Sequence, residues 1–290
     1  MKNLKTFLPI LILAFLFLTA CKKDKKNDDE TVYKTTESYT LDDVSYGNDS
    51  KQNMDIYLPA NRSASSTKVF VLVHGGGWGA GDKADFDFLF TQLKQVYPNH
   101  AIININYRLG TASSPGYPKQ INDIQSALTH IELAKYGVSK QYFLFGASAG
   151  GHLSLLYGYA FDPNRYVKAI CNTVGPVDFT DPAYTDNILF QYGLSSLVGP
   201  QTYAQNPQIY QEVSPSFKVT ALSPKTISFY GDADPLIPST QMNLLHDKLD
   251  SAGILNQKTM YAGEGHGGWN QANSTDYLVK LVNFINLHFN

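Results

Sequence analysis

An unbroken apolar run stands at Val69–Val73, and similar, largely apolar runs recur at Ala101–Ile105, 142–145 and 226–230. A run of four or five such residues without a polar interruption is the pattern of a strand covered on both faces. Between and after these runs, residues 86–96, 121–134, 153–161, 242–249 and 278–289 carry apolar side chains three and four apart, the spacing of amphipathic helices. Ahead of the first run, alternation in ESYTLDDVSYG and QNMDIYLP predicts two strands that open the sheet as an antiparallel pair, and 258–261 alternates again. Strands alternating with helices predict an α/β fold with a mostly parallel central sheet of about eight strands, helices on both faces and no internal repeat. Residues 175–224 break this rhythm, being rich in Tyr, Asp, Pro, Ser and Gln with only short apolar stretches. They read as a partly helical insertion beside the sheet's C-terminal edge, where insertions shape pockets.

The first residues follow a different logic. Lys2 and Lys5 precede an apolar run over 7–18, then Leu18-Thr19-Ala20-Cys21, which together make a secretory signal over 1–20. The run is shorter than the ~20 apolar residues of a spanning helix. A cysteine at the cut resembles a bacterial lipoprotein signal, which implies that Cys21 carries lipid and anchors an exported protein at a membrane of the cell envelope. Residues 21–32, including KKDKKNDDE, read as a charged flexible tether, and 33–290 as one domain with the 175–224 insertion. Length and composition agree: 290 residues, 43% hydrophobic and 13% aromatic, suffice for one sizeable core. The net charge of -2, with no basic stripe in the body of the chain, gives no footing for nucleic acid and points to an uncharged or small substrate. Cys171 is the only other cysteine, so with Cys21 lipidated no internal disulfide forms.

The candidate chemistry starts at GASAGG, residues 146–151, directly after an apolar run. A serine on a sharp strand-to-helix turn needs small neighbours, and Gly146 and Gly150 supply them around Ser148. The helix that follows turns its N-terminal amides toward that serine. Serine is a weak nucleophile without a base, and the base in turn needs an acid to orient it. His266, in the Gly-rich loop GEGHGGW, is the candidate base; His100, His130, His246 and His288 sit in or beside amphipathic helices and read as surface or packing residues. The acid comes from FYGDADPLIP, after the 226–230 run, where Asp234 lies deeper in the loop and is preferred. Asp232 is left to cap the turn or the next helix. HGGGWGAGDK, after Val69–Val73, supplies consecutive glycines whose amides can face an oxyanion: Gly76 and Gly77, with the amide of Ala149. His74 is read as holding that glycine loop by a local hydrogen bond, and Trp78 as packing beside the pocket. No HExxH or cysteine-rich set appears, and Glu264 near His266 makes at best an isolated pair, so neither metal nor cofactor is expected.

HGGGW with GDK, NYRL at 106–109, GASAGGH at 146–152, GDADPLIP and GHGGW together resemble the α/β-hydrolase esterases from about Tyr39 onward. The likeness is to the hormone-sensitive-lipase-like carboxylesterases and their bacterial feruloyl-esterase-like (BD-FAE) relatives. It implies an α/β-hydrolase fold and two-step acyl transfer, with Ser148 as nucleophile, His266 and Asp234 as its partners, and Gly76, Gly77 and Ala149 as oxyanion donors. It also implies a structural pair of Arg108 with Asp123. Ala147 departs from the Asp, Glu or His that many relatives carry before the nucleophile. Small or carbohydrate-linked esters, acetyl or feruloyl among them, are the expected substrates. The alternatives are hydrolysis of small amides by the same residues and, in another class, a catalytically inactive binding lipoprotein.

Overall fold

The computed structural model describes residues 31–290; the expected signal, Cys21 and the tether up to residue 30 lie outside the described residues. Eight strands form one sheet: β1 (Tyr39–Ser45), β2 (Asn53–Leu58), β3 (Val69–Val73), β4 (Ala101–Ile105), β5 (Tyr142–Ala147), β6 (Val167–Thr173), β7 (Lys225–Gly231) and β8 (Asn256–Tyr261). Their spatial order is β1-β2-β4-β3-β5-β6-β7-β8. β1 pairs antiparallel with β2 and β2 antiparallel with β4, whereas β4 through β8 are mutually parallel. The helices are α1 (Asp87–Val96), α2 (Lys119–Ile131), α3 (Ala149–Leu156), α4 (Pro182–Thr185), α5 (Ile188–Val198), α6 (Pro207–Glu212), α7 (Thr240–Ser251) and α8 (Gln271–His288).

Alternate residues of the apolar strands serve two separate cores, which is why these strands carry no polar face. Val69, Val71 and Val73 of β3 pack with Ile124 and Leu128 of α2, Leu153 and Leu156 of α3, and Leu245 and Leu249 of α7. Phe70 and Leu72 point the other way and pack with Phe143, Phe145, Leu93 of α1, and Phe284 and Ile285 of α8. β5 lies mid-sheet between β3 and β6, so whatever follows Ala147 emerges at the centre of the C-terminal edge.

The pattern reading differs from the structure at four places, the first being α3, which begins at Ala149 rather than 153 because its first turn is the small-residue stretch AGG with no apolar stripe. β6 is a full strand that the apolar runs do not mark, because exposed Lys168 interrupts VKAICNT and its last residues are polar. Asn172 is buried nonetheless: it donates from Nδ2 to the Tyr230 hydroxyl at 2.8 Å and accepts from the Gly175 N–H at 3.1 Å. α8 begins at Gln271 rather than 278, because the Asn270 side chain accepts from the Asn273 N–H at 3.0 Å and caps polar first turns that carry no apolar stripe. α2 stops at Ile131, short of the expected 134.

Burial holds the imidazoles of His100, His152 and His246 at pKa values of about 4, against the usual 6.5, because their charged forms would lose water. With the folded value depressed, the unfolded chain binds more protons between pH 6.5 and 4, so stability is complete above about pH 6.5 and drains away as the pH falls. One pKa unit corresponds to ~1.4 kcal/mol, so each group withdraws up to roughly 2 kcal/mol by pH 5. Urea midpoints measured at pH 7.5 and pH 5 should therefore fall steeply toward the acid side with an unchanged m-value. A constant midpoint would show that these histidines are not neutral and buried together.

Candidate active site

Ser148 sits where β5 turns into α3, with φ 52° and ψ -122°. Such a conformation costs a non-glycine residue ~1–3 kcal/mol and persists only where the surroundings enforce it. Here the Ser148 N–H donates to the Thr173 carbonyl at 2.8 Å, and its own carbonyl accepts from the His152 N–H at 3.1 Å. The flanking glycines are steric necessities. A Cβ on Gly146 would lie 2.2 Å from the Gly150 carbonyl oxygen, and one on Gly150 would lie 1.9 Å from that of Val73.

The loops after β7 and β8 bring Asp234 and His266 to this turn. His266 Nδ1 lies 2.7 Å from Asp234 Oδ2, and His266 Nε2 lies 2.9 Å from Ser148 Oγ. A carboxylate only accepts, so Nδ1 carries the ring proton and Nε2 is left to accept from the serine hydroxyl. The Asp234 side chain is 1% exposed, and its second oxygen accepts from the N–H groups of Leu236 at 2.8 Å and Ile237 at 3.0 Å. These bonds fix the carboxylate and, through it, the imidazole. Asp232 has a different task, accepting from the Gly263 N–H at 2.6 Å and thereby tying the acid loop to the histidine loop. The two aspartates that the sequence leaves as candidates are separated by this geometry, with Asp234 alone bonded to His266 among the described residues. Glu264 accepts from the Asn270 N–H at 3.0 Å and the Asn273 amide at 2.7 Å, so it secures the start of α8.

The loop after β3 lies over the serine. A Cβ on Gly75 would stand 3.1 Å from the Ala147 carbonyl oxygen and 3.4 Å from Ser148 Cβ, so the loop backbone passes close beside the serine. Gly76 has φ +110° and a Cβ there would stand 2.2 Å from the Ala80 carbonyl oxygen. His74 behaves as the local tie expected of it: its Nδ1 meets the Gly75 carbonyl at 2.7 Å, its ring stacks on Tyr107 at 4.2 Å, and burial lowers its pKa. Further along, Asp82 and Lys83 moor the loop, with Lys83 Nζ 2.7 Å from Asp55 of β2 and the Lys83 N–H donating to Asn106 at 2.8 Å. Arg108 pairs with fully buried Asp123 at 2.7 Å, as the resemblance implies.

His152 is the functional neighbour that residue-by-residue reading undervalued. The Trp78 indole N–H donates to its Nδ1 at 3.0 Å, and its Nε2–H donates to the Val213 carbonyl at 2.7 Å. A neutral imidazole thus links the glycine loop, the helix behind Ser148 and the insertion. The only signal in the sequence was its place four residues after the serine, one helical turn along the same face.

The insertion forms α4, α5 and α6 and closes an apolar cavity of about 590 Å³, mouth included, over Ser148. Gly77, Trp78, Phe179, Phe190, Leu194 and Ile237 line it together with the serine. Gln241 of α7 anchors the start of the insertion: its carbonyl accepts from the N–H groups of Val177 at 2.8 Å and Asp178 at 2.9 Å.

A strained serine between a central parallel strand and its helix, on a sheet of this order, places the chain among the α/β-hydrolases. Within that class the chain belongs to the BD-FAE family, whose model matches residues 54–249. It is similar to Esterase LipC of Mycobacterium tuberculosis, with 25% identity over 241 residues that cover 77% of this chain and 59% of LipC. Isoprenylcysteine alpha-carbonyl methylesterase ICME of Arabidopsis thaliana is 24% identical over 242 residues, covering 77% of this chain and 55% of that protein. The chain thus spans little more than half the length of these curated relatives. Among solved structures, a bifunctional GH43-CE of Bacteroides eggerthii superposes with a TM-score of 0.73 at 25% identity, covering 87% of this chain and 38% of the other. A truncated carbohydrate esterase from gut microbiota superposes at 0.67 with 23% identity, covering 86% and 98%.

Proposed function

We propose that this protein hydrolyses carboxylic esters through an acyl-enzyme on Ser148. The observation that carries the reading is the continuous row from Asp234 through His266 to Ser148 at the floor of the apolar cavity. As Ser148 Oγ attacks the ester carbonyl, its proton passes to His266 Nε2, and Asp234 stabilises the imidazolium. The amides of Gly76, Gly77 and Ala149 receive the developing oxyanion; Gly77 shares the cavity with Ser148, and Ala149 opens α3. His266 then gives the proton to the leaving alcohol, and water repeats the sequence on the acyl-serine to release the acid and restore the hydroxyl. The curated relatives named as esterases support the same bond type.

An apolar pocket of limited depth should give an optimum in acyl length. Rates rise while each added methylene gains ~0.8 kcal/mol on burial, and fall once the chain no longer fits between Phe179, Phe190 and Leu194. Hydrolysis of p-nitrophenyl esters from acetate to decanoate, beside the matched anilides, reads this directly. Esters cleaved with a length optimum and anilides left nearly untouched is the expected result. Equal rates on both would move the reading to an amide hydrolase, and no turnover of either by folded protein would leave a binding protein.

A further inference from the structure

Three consecutive residues of the loop over Ser148 have positive φ: Gly76 at 110°, Gly77 at 56° and Trp78 at 62°. Glycine adopts such a conformation at no steric cost, whereas a tryptophan is strained in it and stays there only where its surroundings enforce it. The N–H groups of Gly76 and Gly77 donate to nothing among the described residues, and Gly77 and Trp78 share the cavity with Ser148. Trp78 is held at both ends. Its carbonyl accepts from the Gly110 N–H at 2.8 Å and from Gln120 Nε2 at 2.7 Å, and its indole N–H donates to His152 Nδ1 at 3.0 Å. We propose that His152 is a positioning residue for the oxyanion loop: by accepting the indole N–H it fixes where the Gly76 and Gly77 amides stand relative to Ser148 Oγ. The proposal rests on the esterase reading above.

His152 is tied to the nucleophile through its main chain and to the loop through its side chain. Its N–H donates to the Ser148 carbonyl at 3.1 Å, one turn back along α3. On the ring, Nε2–H donates to the Val213 carbonyl at 2.7 Å, which leaves Nδ1 without a proton and therefore an acceptor. The other tautomer would set a ring N–H against the indole N–H. The imidazole is fully buried, and burial keeps it neutral, so this arrangement of donor and acceptor holds at neutral pH. Phe179, at the start of the insertion, packs edge-on to both partners, 5.7 Å from the Trp78 ring and 5.1 Å from that of His152. One side chain thus joins the helix that carries the nucleophile to the loop that carries the oxyanion donors.

The consequence is kinetic. An oxyanion donor works when it stands ~2.7–3.1 Å from the place where charge develops, and a misplacement of about 1 Å can cost roughly a hundredfold. His152 is outside the cavity lining, so it touches no substrate, and its loss should fall on the transition state rather than on substrate binding.

The test uses three variants of the full chain on p-nitrophenyl acetate, each checked for folding by urea unfolding. His152→Phe keeps a ring that accepts nothing, and it should lower kcat roughly tenfold to a hundredfold with KM within about twofold of wild type. His152→Gln carries both an acceptor and a donor and should recover most of that loss. Trp78→Phe removes the indole donor and should lower kcat as His152→Phe does. The double variant should lose no more than the larger single loss, because both changes remove one bond. A trifluoromethyl ketone reads the oxyanion site directly. Ser148 Oγ adds to its carbonyl carbon, the serine proton passes to His266, and the carbonyl oxygen becomes the oxyanion. Its inhibition constant should rise by the factor by which kcat falls, a parallel that a purely structural role for His152 would not produce. Unchanged kcat in Trp78→Phe overturns the proposal, and that variant decides even if His152→Phe fails to fold. Equal losses in His152→Phe and His152→Gln, or multiplied losses in the double variant, overturn it as well. Folded wild-type protein that neither cleaves the ester nor takes up the ketone would instead remove the esterase reading itself.

Discussion

Replacing Ser148 with alanine should lower kcat on a p-nitrophenyl ester by up to about 10⁶-fold while leaving the protein folded. The magnitude follows from how nucleophile and base act as a unit: losing either one costs nearly as much as losing the whole set. The residue of activity, ~10³–10⁴ over water, would come from positioning and the oxyanion donors alone. Stability should move little, because the hydroxyl's bond is to the partly exposed His266 and the backbone bonds to Thr173 and His152 do not involve the side chain. Unfolding by urea checks the fold, and single-turnover assays check the loss. Retention of more than about one hundredth of wild-type kcat would place the nucleophile elsewhere, because positioning alone does not supply that much.

The parts of this site that were legible in the sequence are those for which the backbone admits few residue types. Gly146 and Gly150 pass so close to neighbouring carbonyls that any Cβ would collide, so the GxSxG spacing is a direct record of the turn. The doubly covered strands β3 and β5 were legible for a similar reason, since two apolar cores favour apolar side chains on both faces, and β4 and β7 remained legible because apolar residues surround their buried Asn104, Thr226 and Ser228. β6 was not, because its polar end is satisfied by partners distant in sequence: buried Asn172 by Tyr230, and half-buried Thr173 by Tyr277. No periodicity encodes such bonds. The insertion was recognisable as an interruption, but its cavity depends on how α4 and α5 fold back over Ser148, and that is held by Gln241 from α7, far along the chain. The link from Trp78 through His152 to Val213 was hidden in the same way, as three residues of different segments joined by one neutral ring.

The choice between the two aspartates is where geometry adds most to the sequence, and it yields a second large effect. Asp234→Asn should reduce kcat by about 10⁴-fold. An amide at this position can present an N–H to His266 Nδ1, which favours the tautomer with the proton on Nε2, and that ring can no longer accept from Ser148. The Oδ1 bonds from Leu236 and Ile237 can persist with the amide oxygen, so the loop keeps its shape and the defect falls on kcat rather than on folding. Asp232→Asn should behave in the opposite way. Its remaining carbonyl oxygen can still accept from Gly263, so activity should stay within about tenfold of wild type, with a modest cost in stability from weakening a charge-assisted bond between loops. Measuring kcat and the urea midpoint for both variants separates the roles. A large loss of kcat in Asp232→Asn with little in Asp234→Asn would mean that the acid loop turns over in the working enzyme, and that the bond of 2.7 Å between Asp234 and His266 is not the one that orients the base.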